Sequence, residues 1–376
     1  MASQLACVLV TPYSVAKGRT GGILTRILTT SGCELMASRM FFPGRDLVET
    51  YAALLPTESD GDHLVPGLIR DYVFREFSPH PDGGVPKGVL LWLFRGEKAI
   101  ERVHTAVTHM VQNSFGDCIK DSAGRVVYFE PAALAGDSAE STQQMVQLWS
   151  QHSGSAGRLP PLKSTSGSKI PEQRTLVLVK PDNFKCSSVR PGGVLDLFTR
   201  AGLSLVGMQL IRMSTRQALE FYGPVHEVLR TRLNSWVGAE AHNLLRQQTG
   251  LGFEVPEAIV AELGKLLGPL YGDLRFDNLI RFMSGRSGKE CPTDQLDQPG
   301  SEPCLAVVFD GIEAVAKCRE VLGPTDPSKA GVGTVRREYG TSILANGAHA
   351  SDSVESAERE LAILRLEDQD FTSGFQ

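Results

Sequence analysis

Near its C-terminal end the chain reads Asn346-Gly347-Ala348-His349-Ala350-Ser351-Asp352-Ser353, and Glu360 follows within the helical pattern Ser353-Val354-Glu355-Ser356-Ala357-Glu358-Arg359-Glu360. An amide, an imidazole and a hydroxyl are thus set close together among small residues that leave the ring accessible. A carboxylate that reaches back to an imidazole fixes its tautomer and raises its nucleophilicity, which a covalent histidine catalyst needs. A lone histidine would say little, because most are satisfied surface or core groups. The meaning of His349 therefore depends on which elements position partners around it.

Composition bounds the setting. At 376 residues, with 41% hydrophobic and 22% charged side chains, the chain is globular and long enough for two ordinary domains. It contains no apolar run of about eighteen residues that could span a bilayer. The opening Met1-Ala2-Ser3-Gln4-Leu5-Ala6-Cys7-Val8-Leu9-Val10 lacks the basic segment and cleavage pattern of a secretory leader and reads as a buried strand. The seven cysteines are scattered without CxxC or Cys/His metal spacing, so reduced thiols in a cytoplasmic setting are expected. A net charge of −5 argues against a general nucleic-acid binder. Any anionic ligand must be held by a local cluster.

One stretch, 151–173, is rich in Ser, Gly, Pro and Lys without apolar periodicity, and reads as a flexible linker. The pieces on either side repeat one another in order. Val8-Leu9-Val10-Thr11-Pro12 matches Val177-Leu178-Val179-Lys180-Pro181, each a β-branched run stopped by proline. Gly22-Ile23-Leu24 and Gly192-Gly193-Val194 open helix-period stretches that close at Gly32 and Gly202, where glycine suits a helix end. Glu34 to Met40 and Leu203 to Met208 then read as strands, and Ala135-Gly136-Asp137-Ser138 echoes Ala350-Ser351-Asp352-Ser353. Matches in one order point to two copies of one domain, 1–150 and 174–376. Within the second copy Cys304 to Phe309 reads as a further strand and Gly311 to Leu322 as a helix. The expected fold is α+β, ferredoxin-like (βαββαβ), with helices on one face of a small sheet.

With those pieces in place, residues 174–366 resemble a nucleoside diphosphate kinase domain along their length, apart from two insertions. The resemblance is carried by Arg174-Thr175-Leu176-Val177-Leu178-Val179-Lys180-Pro181-Asp182, by Arg319-Glu320-Val321-Leu322-Gly323-Pro324-Thr325-Asp326-Pro327, by Gly333-Thr334-Val335-Arg336 and by the His349 stretch. It implies that His349 is the phosphorylated nucleophile, with Glu360, Ser351 and Tyr222 beside it. It implies further that Lys180, Asn346, Arg319, Thr325, Arg336, Leu279 and Arg275 contact the nucleotide, Lys180 and Asn346 at the ribose. The implied ligands are nucleoside tri- and diphosphates with Mg²⁺ held mainly by their phosphates, so no dedicated metal-ligating residues are expected. Arginine forks suit phosphate geometry, and in-line phosphoryl transfer needs positioning and charge neutralisation above all. A P-loop is not expected, because Gly285-Arg286-Ser287-Gly288-Lys289-Glu290 does not fit GxxxxGK[ST] spacing.

The chain departs from the family pattern in two ways. The segment between Tyr222 and the helix that carries Leu279 is lengthened, over about 223–273, and a polar insertion, expected as a surface loop, covers about 287–302. Across the first insertion Arg275 aligns with the position where the family stacks an aromatic on the base. In the first copy Thr11 replaces Lys180, Pro131 replaces Asn346 and Leu134 replaces His349, and His104 and His109 lie in the helical run Ala99 to Val111. Residues 1–150 therefore read as a degenerate copy that pairs with the second inside the chain, and the resemblance also allows homo-oligomers. No membrane partner is expected. A scaffold built from tandem domains, with slow or irrelevant transfer, is the alternative function.

Overall fold

A computed structural model of the chain describes residues 3–56, 64–79, 87–162, 171–185, 188–249 and 253–367. Its strands are β1 (Ser3–Val10), β2 (Glu34–Phe41), β3 (Val89–Glu97), β4 (Asp117–Lys120), β5 (Val126–Glu130), β6 (Ala133–Ala135), β7 (Glu172–Val179), β8 (Ser204–Arg212), β9 (Pro303–Ile312) and β10 (Ala348–Ala350). All but the β4–β5 hairpin join one eight-stranded sheet, ordered β10-β7-β9-β8-β2-β3-β1-β6. Outward from the β2–β8 contact, the order β2-β3-β1-β6 on one side matches β8-β9-β7-β10 on the other, an α+β arrangement of the ferredoxin-like kind. The register repeats as well. β6 meets β1 with Leu134 opposite Leu9, and β10 meets β7 with His349 opposite Leu178.

The expectation of helices on only one face needs correction in the first half. Ala6 through Val10 are all buried, and successive residues enter opposite cores. Ala6, Val8 and Val10 join Ile23, Leu24 and Val103 on one face, while Cys7 and Leu9 join Leu47, Tyr51, Tyr72 and Trp149 on the other. The uninterrupted apolar run of β1 is the sign of a strand covered on both sides, since a half-exposed strand would alternate.

The helix Thr20–Ser31 ends at Gly32, whose φ of 64° takes the left-handed conformation. Its counterpart Arg190–Thr199 is capped by Arg200 instead, and Gly202 lies beyond the cap. The two helices pack against each other through glycine. A Cβ on Gly21 would lie 2.2 Å from the Asp196 backbone nitrogen, and one on Gly192 would lie 2.5 Å from that of Thr25. Neither backbone can retreat without unpacking the pair. Gly192→Ala should therefore cost about 1–3 kcal/mol of stability, as overpacking does, read as a lower urea midpoint. An unchanged midpoint would show that the helices slide apart freely.

Where β2 meets β8, Arg39 pairs with Gln209 and both are buried. The Arg39 guanidinium donates to the carbonyl oxygens of Ser153 (3.2 Å) and Glu367 (3.3 Å). The stretch read as a linker begins inside the helix Ala139–Gln151, continues through Ser153–Ala156, and gives way to β7 at Glu172; residues 163–170 lie outside the described residues.

A second unit spans Arg212–Pro303. It comprises the helices Thr215–Arg232, Asn234–Thr249 and Glu257–Ser284, so the lengthened segment extends the flanking helices and adds one between them. The loop expected near 287–302 is anchored at its start. Ser287 donates to both Asp277 carboxylate oxygens, at 2.8 and 2.9 Å, and the Lys289 backbone N–H donates to the same group. Among the described residues, no helix is long and apolar enough to cross a membrane.

Candidate functional site

β10 is a three-residue strand, and its antiparallel pairing with β7 fixes the backbone of His349. The turn leading into it is built on Gly347, whose φ of 83° favours glycine. Both backbone groups of Gly347 are taken. Its N–H donates to Asp182, and its carbonyl accepts from the backbone N–H of Lys180 and the side-chain amide of Asn183. The end of β7 and the turn before β10 are thereby locked together.

On this strand His349 is about a quarter exposed, and its Nε2 lies 3.0 Å from Oε2 of Glu360, a group only 4% exposed. Glu360 sits in the helix Val354–Leu364, whose N-terminus is capped by Ser353. The same carboxylate oxygen accepts from Ser351 at 2.7 Å, and Arg359 lies 3.5 Å from its other oxygen. A buried carboxylate with a hydroxyl donor, a nearby cation and an imidazole partner holds the ring in one orientation and fixes which nitrogen carries the proton. The nitrogen turned away from Glu360 is then Nδ1, the position from which the ring could attack.

A second group of predicted residues converges beside the first. Lys180, buried at the end of β7, donates to the carbonyl of Leu344 at 3.1 Å and to the side-chain oxygen of Asn346 at 2.8 Å. Asn346 in turn donates to the carbonyl of Thr325 at 3.1 Å. Arg336, also buried, donates to the Gly323 carbonyl at 2.9 Å and contacts the Thr325 hydroxyl at 3.5 Å. Arg319 ends the helix Ala314–Leu322 as an exposed group. Lys180, Asn346, Thr325 and Arg336 thus form one connected network. Arg319 is linked instead to the His349 side, since its charge and that of His349 both help to hold the Asp352 carboxyl below its usual range, after the hydrogen bond from Ser356.

Burial pushes the Lys180 ammonium down to about 8 from 10.5; the nearby Asp182 charge opposes this and Arg336 adds to it. Between those two values the unfolded chain binds a proton that the folded chain does not. Stability from this group is therefore present in full above about pH 10.5, and is lost as pH falls through about 8. The unfolding free energy of the wild type, relative to Lys180→Met, should rise with pH across that window. Urea titrations of both proteins at several pH values check it, and a flat or falling difference would reject a depressed lysine.

Tyr222, Arg275 and Leu279 belong to the second unit. Tyr222 is buried in Thr215–Arg232, with the Phe221 ring 4.9 Å away, and Arg275 and Leu279 lie one turn apart on Glu257–Ser284, both half-buried. Within that unit the two helices are tied by His226, whose Nε2 lies 2.7 Å from Asp273 and whose ring stacks on Phe276 at 4.2 Å. Arg230 donates to Asp273 at 3.1 Å.

Sequence reasoning missed the supports. Asn183 is fully buried and holds the Gly347 carbonyl at 2.6 Å; its only signal was its place one helical turn after Lys180. Arg190 donates to the Tyr339 carbonyl and lies over its ring, pinning the short helix Val335–Tyr339 that carries Arg336. Nothing in the spacing of Arg190 singled it out. Asp352 stood inside the motif but was given no role.

A sequence profile of the family described as Nucleoside diphosphate kinase matches residues 274–369. A nucleoside diphosphate kinase of Helicobacter pylori (strain P12) is 30% identical over 191 residues, covering 51% of this chain and 93% of that protein. One of Halorhodospira halophila is 29% identical over 189 residues, covering 50% and 89%. Among solved structures, an NDP kinase from Pyrobaculum aerophilum is 27% identical with a TM-score of 0.31, covering 51% of this chain and 95% of that one.

Proposed function

Because the chain belongs to the nucleoside diphosphate kinase family, we propose that it transfers the γ-phosphate of a nucleoside triphosphate to a nucleoside diphosphate through a phosphohistidine at His349. The observation that carries this reading is the His349–Glu360–Ser351 arrangement, with Lys180, Asn346, Thr325 and Arg336 networked beside it. In the first half-reaction the Nδ1 lone pair forms a bond to the γ-phosphorus as the bond to the bridging β-oxygen breaks. The electron pair leaves with the diphosphate. In the second, an oxygen of the incoming diphosphate attacks the same phosphorus and the N–P bond breaks. Glu360 keeps the Nε2 proton on the ring through both halves and stabilises the charge that forms there.

Arg336 and Arg319 would take the phosphate oxygens in bidentate fashion, Thr325 would add a hydroxyl, and Lys180 and Asn346 would hold the ribose hydroxyls. Among the described residues no group of His, Cys, Asp and Glu is arranged to bind a metal ion unaided. Mg²⁺ would be held mainly by the nucleotide phosphates. Bound there, it would neutralise phosphate charge. We further propose that residues 1–150 and 174–376 are two copies of one domain that pair within the chain, the second carrying the chemistry. The deciding experiment incubates the protein with γ-labelled ATP and looks for an acid-labile, base-stable phosphoenzyme that a second diphosphate discharges. Label that survives acid would place the phosphate on a hydroxyl and reject the reading.

A further inference from the structure

The matching registers at the two ends of the sheet place Leu134 where His349 stands, opposite the same strand position. Thr11 follows β1 as Lys180 follows β7, and its hydroxyl is spent on the carbonyls of Pro131 (2.8 Å) and Ala132 (3.1 Å). Beside Leu134 lies a cavity of about 590 Å³, within the size range of small-molecule sites. Its walls are apolar, with Tyr51, Leu55, Ile69, Val107, Leu134 and Met145 among them. No lysine or arginine is among the described residues that line it, and its one carboxylate is Asp137. Phosphates would thus meet no lysine or arginine there and one carboxylate, with His104 as the single imidazole among the described lining residues.

Several polar groups at the cavity are already used by the protein, while Nδ1 of His104 is buried in its lining without a hydrogen-bond partner and could take one polar atom of a ligand. Gln112 bridges Glu130 and Ala132, donating to the carbonyl of one and accepting from the N–H of the other. Ser141 closes the capping box of the helix Ala139–Gln151, and Thr108 donates to the carbonyl of His104. A ligand therefore needs little charge or hydrogen bonding of its own, and gains most by covering apolar wall.

We propose that this cavity is a binding site for an uncharged, mainly apolar small molecule, and that it rejects nucleotides. The proposal rests on the register and the cavity lining, so it stands or falls separately from phosphorylation at His349. The test uses the full chain and the neutral fluorophore N-phenyl-1-naphthylamine. Its emission should rise to saturation at one site per chain, and saturating Mg·ADP should not displace it. Leu134→Trp fills the cavity from β6, and Gln144→Trp fills it from an exposed position on its rim. Each should weaken probe binding at least tenfold, while a cooperative urea transition and an unchanged far-ultraviolet circular dichroism spectrum confirm an intact fold. Should Leu134→Trp misfold, Gln144→Trp decides alone. Absence of saturable binding, affinity unchanged in a folded Gln144→Trp protein, or displacement by Mg·ADP would each overturn the proposal.

Discussion

His349→Ala should leave the fold intact and abolish phosphoenzyme formation, with exchange between nucleoside triphosphate and diphosphate falling by roughly 10⁴-fold or more, the scale on which nucleophile loss acts in covalent enzymes. The side chain bonds a carboxylate that Ser351 also serves, so its loss leaves Glu360 partnered. Glu360→Gln is the informative companion. It keeps the size of the group but gives up its charge, so the ring should still be phosphorylated, more slowly, because the developing imidazolium loses its counter-ion. Single-turnover labelling separates the two variants. A His349→Ala protein that still turns over by a ping-pong scheme would show that another group carries the phosphate.

Arg336→Ala should lower kcat/KM by about 2–4 kcal/mol, roughly 30- to 900-fold, the cost of losing one preorganised donor to a developing charge. Arg336 is held ready, buried and bonded to the Gly323 carbonyl, on a helix that Arg190 pins through Tyr339. Arg319 is exposed at the end of its helix, so Arg319→Ala should fall at the lower end of the same range. Lysine at position 336 should restore part of the loss, because it keeps the charge without the fork. Steady-state kinetics with both nucleotides varied would measure this. Full activity in Arg336→Ala would put the phosphates elsewhere.

Much of this arrangement was legible because its signals are local. The run Val177-Leu178-Val179-Lys180-Pro181 announces a strand, its end and a cation in one phrase, and the structure stops β7 at Val179. The small residues around His349 announced an accessible ring, and the capped helix behind them brought Glu360 back to it. Other features depend on tertiary partners that no short window contains. Asn183 matters because a carbonyl from Gly347 arrives beside it, and Arg190 because Tyr339 does. Gly192 looked like a helix opener and Gly21 drew no notice, yet the role of both is to admit another helix's backbone. The long insertion was visible as added length, but its shape came from extending helices whose ends the periodicity of 3.6 does not mark.

The Arg39–Glu367 hydrogen bond spans a sequence separation of 328 and joins the β2–β8 contact to the far end of the described chain. In a symmetric pair of separate subunits, every substitution appears twice, so a change that damages one site damages both. Here the corresponding positions are encoded independently. Leu134 and His349 can occupy equivalent strand registers with different side chains, and among the described residues the connection between β8 and β9 holds three α-helices where that between β2 and β3 holds two. Joining the halves in one sheet thus frees each from having to mutate in step with the other.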